Sequence, residues 1–67
     1  MSVLKVIEIL ASSEKSWEDA VRNAVKTAGK TLKGIRSVYV QDQSVVVKEG
    51  DIIEFRVNCK ITFEVFD

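Results

Sequence analysis

The stretch Ile53-Glu54-Phe55-Arg56-Val57-Asn58-Cys59-Lys60-Ile61-Thr62-Phe63-Glu64-Val65 alternates apolar and polar residues without a break. Successive side chains of a strand point to opposite faces. Ile53, Phe55, Val57, Cys59, Ile61, Phe63 and Val65 therefore share one face, and Glu54, Arg56, Asn58, Lys60, Thr62 and Glu64 share the other. Alternation this regular predicts a long antiparallel strand with one buried and one polar face. The rest of the chain is placed around it.

Just upstream, Lys48-Glu49-Gly50-Asp51 is a turn signal. Before the turn, Ile35 to Val47 returns to a strand pattern, with Val38 and Val40 alternating against Tyr39, Gln41 and Gln43 and ending in the apolar run Val45-Val46-Val47. The two strands form a hairpin. Further upstream, Trp17, Ala20, Val21, Ala24, Val25, Ala28 and Leu32 recur at three- and four-residue intervals and predict one amphipathic helix over 17–32. Ser16 is placed to cap it, Glu18 and Asp19 suit the positive end of its dipole, and Gly34 is the expected stop. Val3 to Ala11, rich in β-branched and aliphatic residues, reads as a first strand with both faces at least partly covered, followed by the polar loop Ser12–Lys15. A right-handed crossover joins the first two strands in parallel. Placing the third between them gives an α+β fold, β-α-β-β, with a three-stranded antiparallel sheet in the order 1-3-2 wrapped on one helix.

The third strand would be about 43 Å long at ~3.3 Å per residue, and the helix only about 24 Å at ~1.5 Å per residue. Strong curling of the sheet is one way to hide the overhang. The reading taken is that a second copy covers it, because an exposed apolar patch normally marks an interface. Burial at ~25 cal/mol per Å² would contribute several kcal/mol per chain.

Composition narrows the function. Sixty-seven residues make one small domain, 1–67, and a chain of this size buries only about 60% of its unfolded surface. Cys59 is the only cysteine and there is no histidine, so an internal disulfide is impossible and most zinc, haem and His-based catalytic schemes are removed. Ten basic and ten acidic residues cancel, against a nucleic-acid binder, which needs a basic stripe. No apolar run approaches membrane length, and the start is not a signal peptide. The expectation is a neutral cytoplasmic domain that self-associates.

The opening KVIEI (5–9), the helix start SxxSWEDAVxNAV (13–25), the helix exit AGKTLKGIR (28–36) and the strand FRVNCKITFEV (55–65) together resemble the dodecin family. The resemblance runs from Lys5 to Phe66. It implies the same β-α-β-β fold, a hollow homododecamer, and flavin (FMN or riboflavin) binding for storage or buffering rather than catalysis. By the same resemblance the ligand-site positions are Ser37, where flavin-binding members place a stacking Trp; Arg56, where they place a Gln that reaches the ring edge; and Asp42 with Gln43, near the ribityl chain. Ser37 and Arg56 depart from that pattern, and the chain is most similar to the branch of the family that lacks the stacking Trp. The alternative is a structural shell without tight flavin binding, with metal ions at subunit interfaces.

Other chemistry-bearing residues have simpler readings. Trp17 opens the apolar helix stripe and is read as packing. Cys59 is read as a buried, inert thiol. Arg56 is read as an ion-pair partner of Glu54, Glu64 or Asp42, although its planar guanidinium also suits ring stacking or a phosphate. Glu8, Glu54 and Glu64 are read by default as solvated or ion-paired side chains, with oxygen ligation of a divalent cation the alternative if a symmetry axis gathers them. Lys26, Lys30 and Lys33 are read as a solvated helix face. No phosphate loop, catalytic triad or carboxylate dyad is present, and no enzyme is read.

Overall fold

The computed structural model describes residues 3–65. The elements are β1 (Leu4–Ser13), α1 (Trp17–Ala28), β2 (Ile35–Lys48) and β3 (Asp51–Glu64), with the sheet ordered β1-β3-β2 and both pairings antiparallel. The strand with the clearest alternation is the central one. Val57, Cys59 and Ile61 are fully buried, and with Ala20 and Ala24 of α1 they make the core. Ile9, Ala11, Trp17, Val21, Val38 and Val40 pack around it. Two alanines at the contact let the helix axis approach the sheet closely, which is why residues as small as Val57 and Cys59 fill the space. Fully burying a side chain such as Ile61 contributes about 1.5–3 kcal/mol.

Local chemistry sets the turns. The Ser16 side chain accepts the Asp19 amide at 3.0 Å. Ser13 donates its hydroxyl to the Asp19 carboxylate at 2.6 Å and accepts the Lys15 amide at 2.9 Å, which ties the end of β1 to the helix start. At the hairpin, Glu49 and Gly50 both have positive φ, 52° and 83°. That backbone pair matches the twist of the flanking strands in a two-residue turn. Gly34, with φ 75°, reverses the chain into β2, and its carbonyl accepts the Glu64 amide at 3.0 Å.

Three expectations change. The helix ends at Ala28, four residues before Leu32. Gly29 caps it, and the amides of Lys30 and Thr31 bond three residues back to Thr27 and Ala28, tightening the last turn in the way that satisfies orphan carbonyls. Ser12 and Ser13 belong to β1, paired with Arg56 and Phe55, because the long central strand supplies partners beyond the apolar run. β1 is also not covered on both faces. It is an edge strand whose Leu4, Val6 and Leu10 are 51%, 53% and 57% exposed on the side away from the helix.

The overhang is real. The chain measures 50 × 20 × 13 Å with a radius of gyration of 13.7 Å, against about 11 Å for a compact domain of this length. Its accessible surface is 5096 Å², where a folded monomer of this mass would show roughly 4,250 Å². Ile53, left without a partner where the β2–β3 register shifts between Val46 and Val47, and Val65, just past the end of β3, are both exposed.

Candidate functional site

The face of the sheet that carries no helix is the surface on which this chain displays its polar chemistry. Directly opposed residues of an antiparallel pair lie roughly 5 Å apart at Cβ, so the registers define cross-strand rows on that face. They run Val6–Thr62–Ser37, Glu8–Lys60–Tyr39, Leu10–Asn58–Asp42 and Ser12–Arg56–Ser44. A bulge between Val40 and Asp42 makes this possible. One extra residue in β2 reverses its phase there, sending Val38 and Val40 to the helix side and Asp42 and Ser44 to the open side.

Three of the four ligand-site positions named from the sequence share this open face, Ser37, Asp42 and Arg56, with Ser37 two rows from Asp42 and three from Arg56. Gln43 does not. The alternation of β2 places it with Tyr39 on the polar side, but the bulge moves it opposite Val57, on the helix-facing side of the sheet. Ser37 is exposed and two rows from Asp42, so no aromatic ring stands at the position expected to stack on a flavin. Trp17 does not replace it. Its indole N–H donates to the Ser44 carbonyl at 2.9 Å and its ring packs edge-on to Phe55 at 5.2 Å, committing it to the helix side. Tyr39, which the sequence reading did not single out, is 65% exposed on the open face one row from Ser37. Its place on the polar side of the alternation in β2, two residues from both Ser37 and Gln41, was the available signal.

The charges sort by partner. Arg36 donates Nε to Glu64 Oε1 at 3.1 Å and forms an ion pair with the same carboxylate, so Glu64 is held by Arg36 rather than by Arg56. Arg56 instead approaches Glu54 two residues away, with Nε–Oε1 3.8 Å and both side chains substantially wet. Such a pair is worth at most about 1 kcal/mol. Among the described residues, no ion pair involves Glu8 or Asp42. Glu8, Glu54 and Glu64 do not converge within one copy: they oppose Lys60, Val46 and Leu4, at separate heights along the sheet. Among the described residues no group of three or more metal-ligating side chains is assembled. Ca²⁺ takes 6–8 oxygens from carboxylates, carbonyls and waters.

Cys59 is buried and free, and desolvation raises its pKa above the ordinary 9.0. A thiol held neutral in an apolar core is a packing residue, not a nucleophile. No helix among the described residues is long and apolar enough to cross a membrane.

Comparison with known proteins places the chain among relatives of the same fold. A family model described as Dodecin matches residues 3–66. The chain is 36% identical over 64 residues to calcium dodecin of Mycobacterium tuberculosis, covering 96% of this chain and 90% of that protein. The crystal structure of that relative, described as a calcium-chelating antigen with a novel calcium-binding site, superposes with a TM-score of 0.85 at 35% identity, over 97% of this chain and 93% of that one. Dodecin from Streptomyces coelicolor superposes with a TM-score of 0.95 at 26% identity, over 98% and 94%. A point mutant of Thermus thermophilus dodecin gives 0.94 at 25% identity over the full length of both chains. The higher backbone similarity thus falls on the lower sequence identity.

Proposed function

This chain belongs to the dodecin family, and from that premise we propose that it is a single dodecin-like domain, 1–67, that assembles into a homododecamer and stores a divalent cation rather than a flavin. The carrying observation is the exchange of chemistry on the open sheet face. The place of the stacking ring is taken by Ser37, while Glu8 and Asp42 stand on the same face with no ion-pair partner among the described residues. A flavin does not fit the positions carried over for it: Ser37 offers no ring, Gln43 is on the other face, and Arg56 replaces a neutral amide. Calcium fits in kind, because hard cations take carboxylate oxygens. Among the described residues no three carboxylates gather within one copy, so this reading draws further carboxylates from neighbouring copies. The calcium-chelating relative at 36% identity supports the same choice. Binding and release, without covalent chemistry, is the activity proposed, in the cytoplasm.

Calorimetric titration of calcium into the metal-free oligomer tests this. Saturable uptake that Asp42→Asn weakens is expected, and no uptake at millimolar calcium would refute it. One observation favours a second reading. Tyr39 presents an exposed ring one row from Ser37, so FMN or riboflavin stacked on Tyr39 is the competing ligand. Quenching of FMN fluorescence by the purified protein, abolished by Tyr39→Ala, would decide for it.

A further inference from the structure

On the open sheet face two carboxylates stand around one ammonium. Lys60 of β3 is directly opposed to Glu8 of β1 on one side and to Tyr39 of β2 on the other, and Asp42 stands on β2 in the next row, opposite Asn58. Directly opposed residues lie roughly 5 Å apart at Cβ and diagonal ones ~7–8 Å, within reach of a lysine stem. Glu8, Asp42 and Lys60 are all exposed. Among the described residues none of the three is in an ion pair. Arg56, the other cation of these rows, lies against Glu54. The positive charge facing Glu8 and Asp42 is therefore that of Lys60.

We propose that Lys60 is the tethered counter-ion of Glu8 and Asp42, and that a divalent cation binds there by displacing its ammonium. This role rests on divalent-cation binding at the open face and adds what sets the affinity. Residue type and placement both select it. Lysine carries a compact point charge on a flexible four-carbon stem, so it offsets two carboxylates without being fixed on either. Being in no ion pair and exposed, it leaves without breaking a buried contact. Its backbone, however, is paired on both sides in the central strand. The displaced ammonium therefore stays close and opposes the bound ion. A unit charge held ~7 Å from a doubly charged ion in water weakens binding about five- to tenfold. The site is thereby tuned to release its ion as well as to take it up. Removing the charge, by substitution or by acylation of the exposed ammonium, tightens it.

The test is calorimetric titration of calcium, at low ionic strength, into the metal-free parent protein and into Lys60→Gln, Lys60→Arg and Lys26→Gln. Lys60→Gln should lower Kd about five- to tenfold, and the gain should shrink as salt is added. Lys60→Arg keeps the charge and should leave Kd unchanged. So should Lys26→Gln, which removes the same charge from an exposed position on α1, across the sheet from the open face. A Lys60→Gln chain that binds calcium no more tightly than the parent would overturn the proposal and leave calcium binding intact. So would a Lys26→Gln chain that gains as much. No uptake by the parent or by any variant would instead remove the cation reading, and Lys60's role with it. Where light scattering shows that Lys60→Gln changes the oligomer, the parent decides. After reductive, isotope-labelled methylation of its lysines, the Lys60 resonance, assigned by its loss in Lys60→Arg, should move on calcium addition while that of Lys26 does not. An unmoved Lys60 resonance in a calcium-loaded protein would overturn the proposal.

Discussion

Replacing Ser37 by Trp should restore the ring that this chain lacks and give it measurable affinity for FMN. The position accepts a large side chain: Ser37 is exposed, on an edge strand, in a row with Val6 and Thr62 on the face that carries no helix. An indole buries 150–250 Å² when enclosed. Stacked on one face it would bury about half of that, roughly 100 Å², worth about 2.5 kcal/mol at ~25 cal/mol per Å². The aromatic geometry adds ~0.5–1.5 kcal/mol. The total, about 3–4 kcal/mol, corresponds to two to three powers of ten in Kd at ~1.4 kcal/mol per decade. Fluorescence-quenching titration with FMN reads it directly, and Arg56→Gln in the same chain should add to the gain by returning a neutral amide to the ring edge. Unchanged FMN affinity in both variants, with light scattering showing an intact oligomer, would refute the reasoning that Ser37 is what excludes the flavin.

Ser16→Ala removes the acceptor of the Asp19 amide and should cost about 1 kcal/mol, lowering the thermal midpoint by roughly 4–8 °C for a domain of this size; circular dichroism at fixed protein concentration checks it. Trp17→Phe keeps the edge-on contact with Phe55 but loses the N–H bond to Ser44, for a loss of about 0.5–1.5 kcal/mol by chemical denaturation. The raised pKa of Cys59 means that above the ordinary thiol value the unfolded chain has lost a proton that the folded chain retains. Stability should therefore be unaffected by this group at neutral pH and fall as pH rises past about 9, a decline that Cys59→Ala removes. Asp42→Asn should weaken calcium uptake several-fold without changing oligomer mass, read by calorimetry and light scattering together.

The parts of the fold written in periodicity were legible. Alternation from Ile53 to Val65 identified the central strand, Ser16 announced the helix start, and the turn before Asp51 joined β2 to β3. What periodicity does not encode was missed. The bulge at Val40/Asp42 inserts one residue into a run of valines and polar residues with no Gly or Pro to mark it, so the phase of β2 reversed unseen and Gln43 was put on the wrong face. The early end of α1 was half-visible in Gly29, a weak helix former, but Leu32 continued the apolar stripe and masked it. The candidate site fared similarly. Ser37, Asp42 and Arg56 share the open face, whereas the exposure of Tyr39 and the pairing of Arg36 with Glu64 depend on how β2 is set against β3.

The central claim, an assembled dodecin that holds a cation and no flavin, is tested most directly by one purified sample measured two ways. Light scattering coupled to an absorbance spectrum gives mass and chromophore, and calcium titration of the same fraction gives uptake. The account predicts a colourless dodecamer of 7.5 kDa chains that binds calcium saturably. A yellow protein with stoichiometric flavin and no calcium uptake, or a monomer, would contradict it.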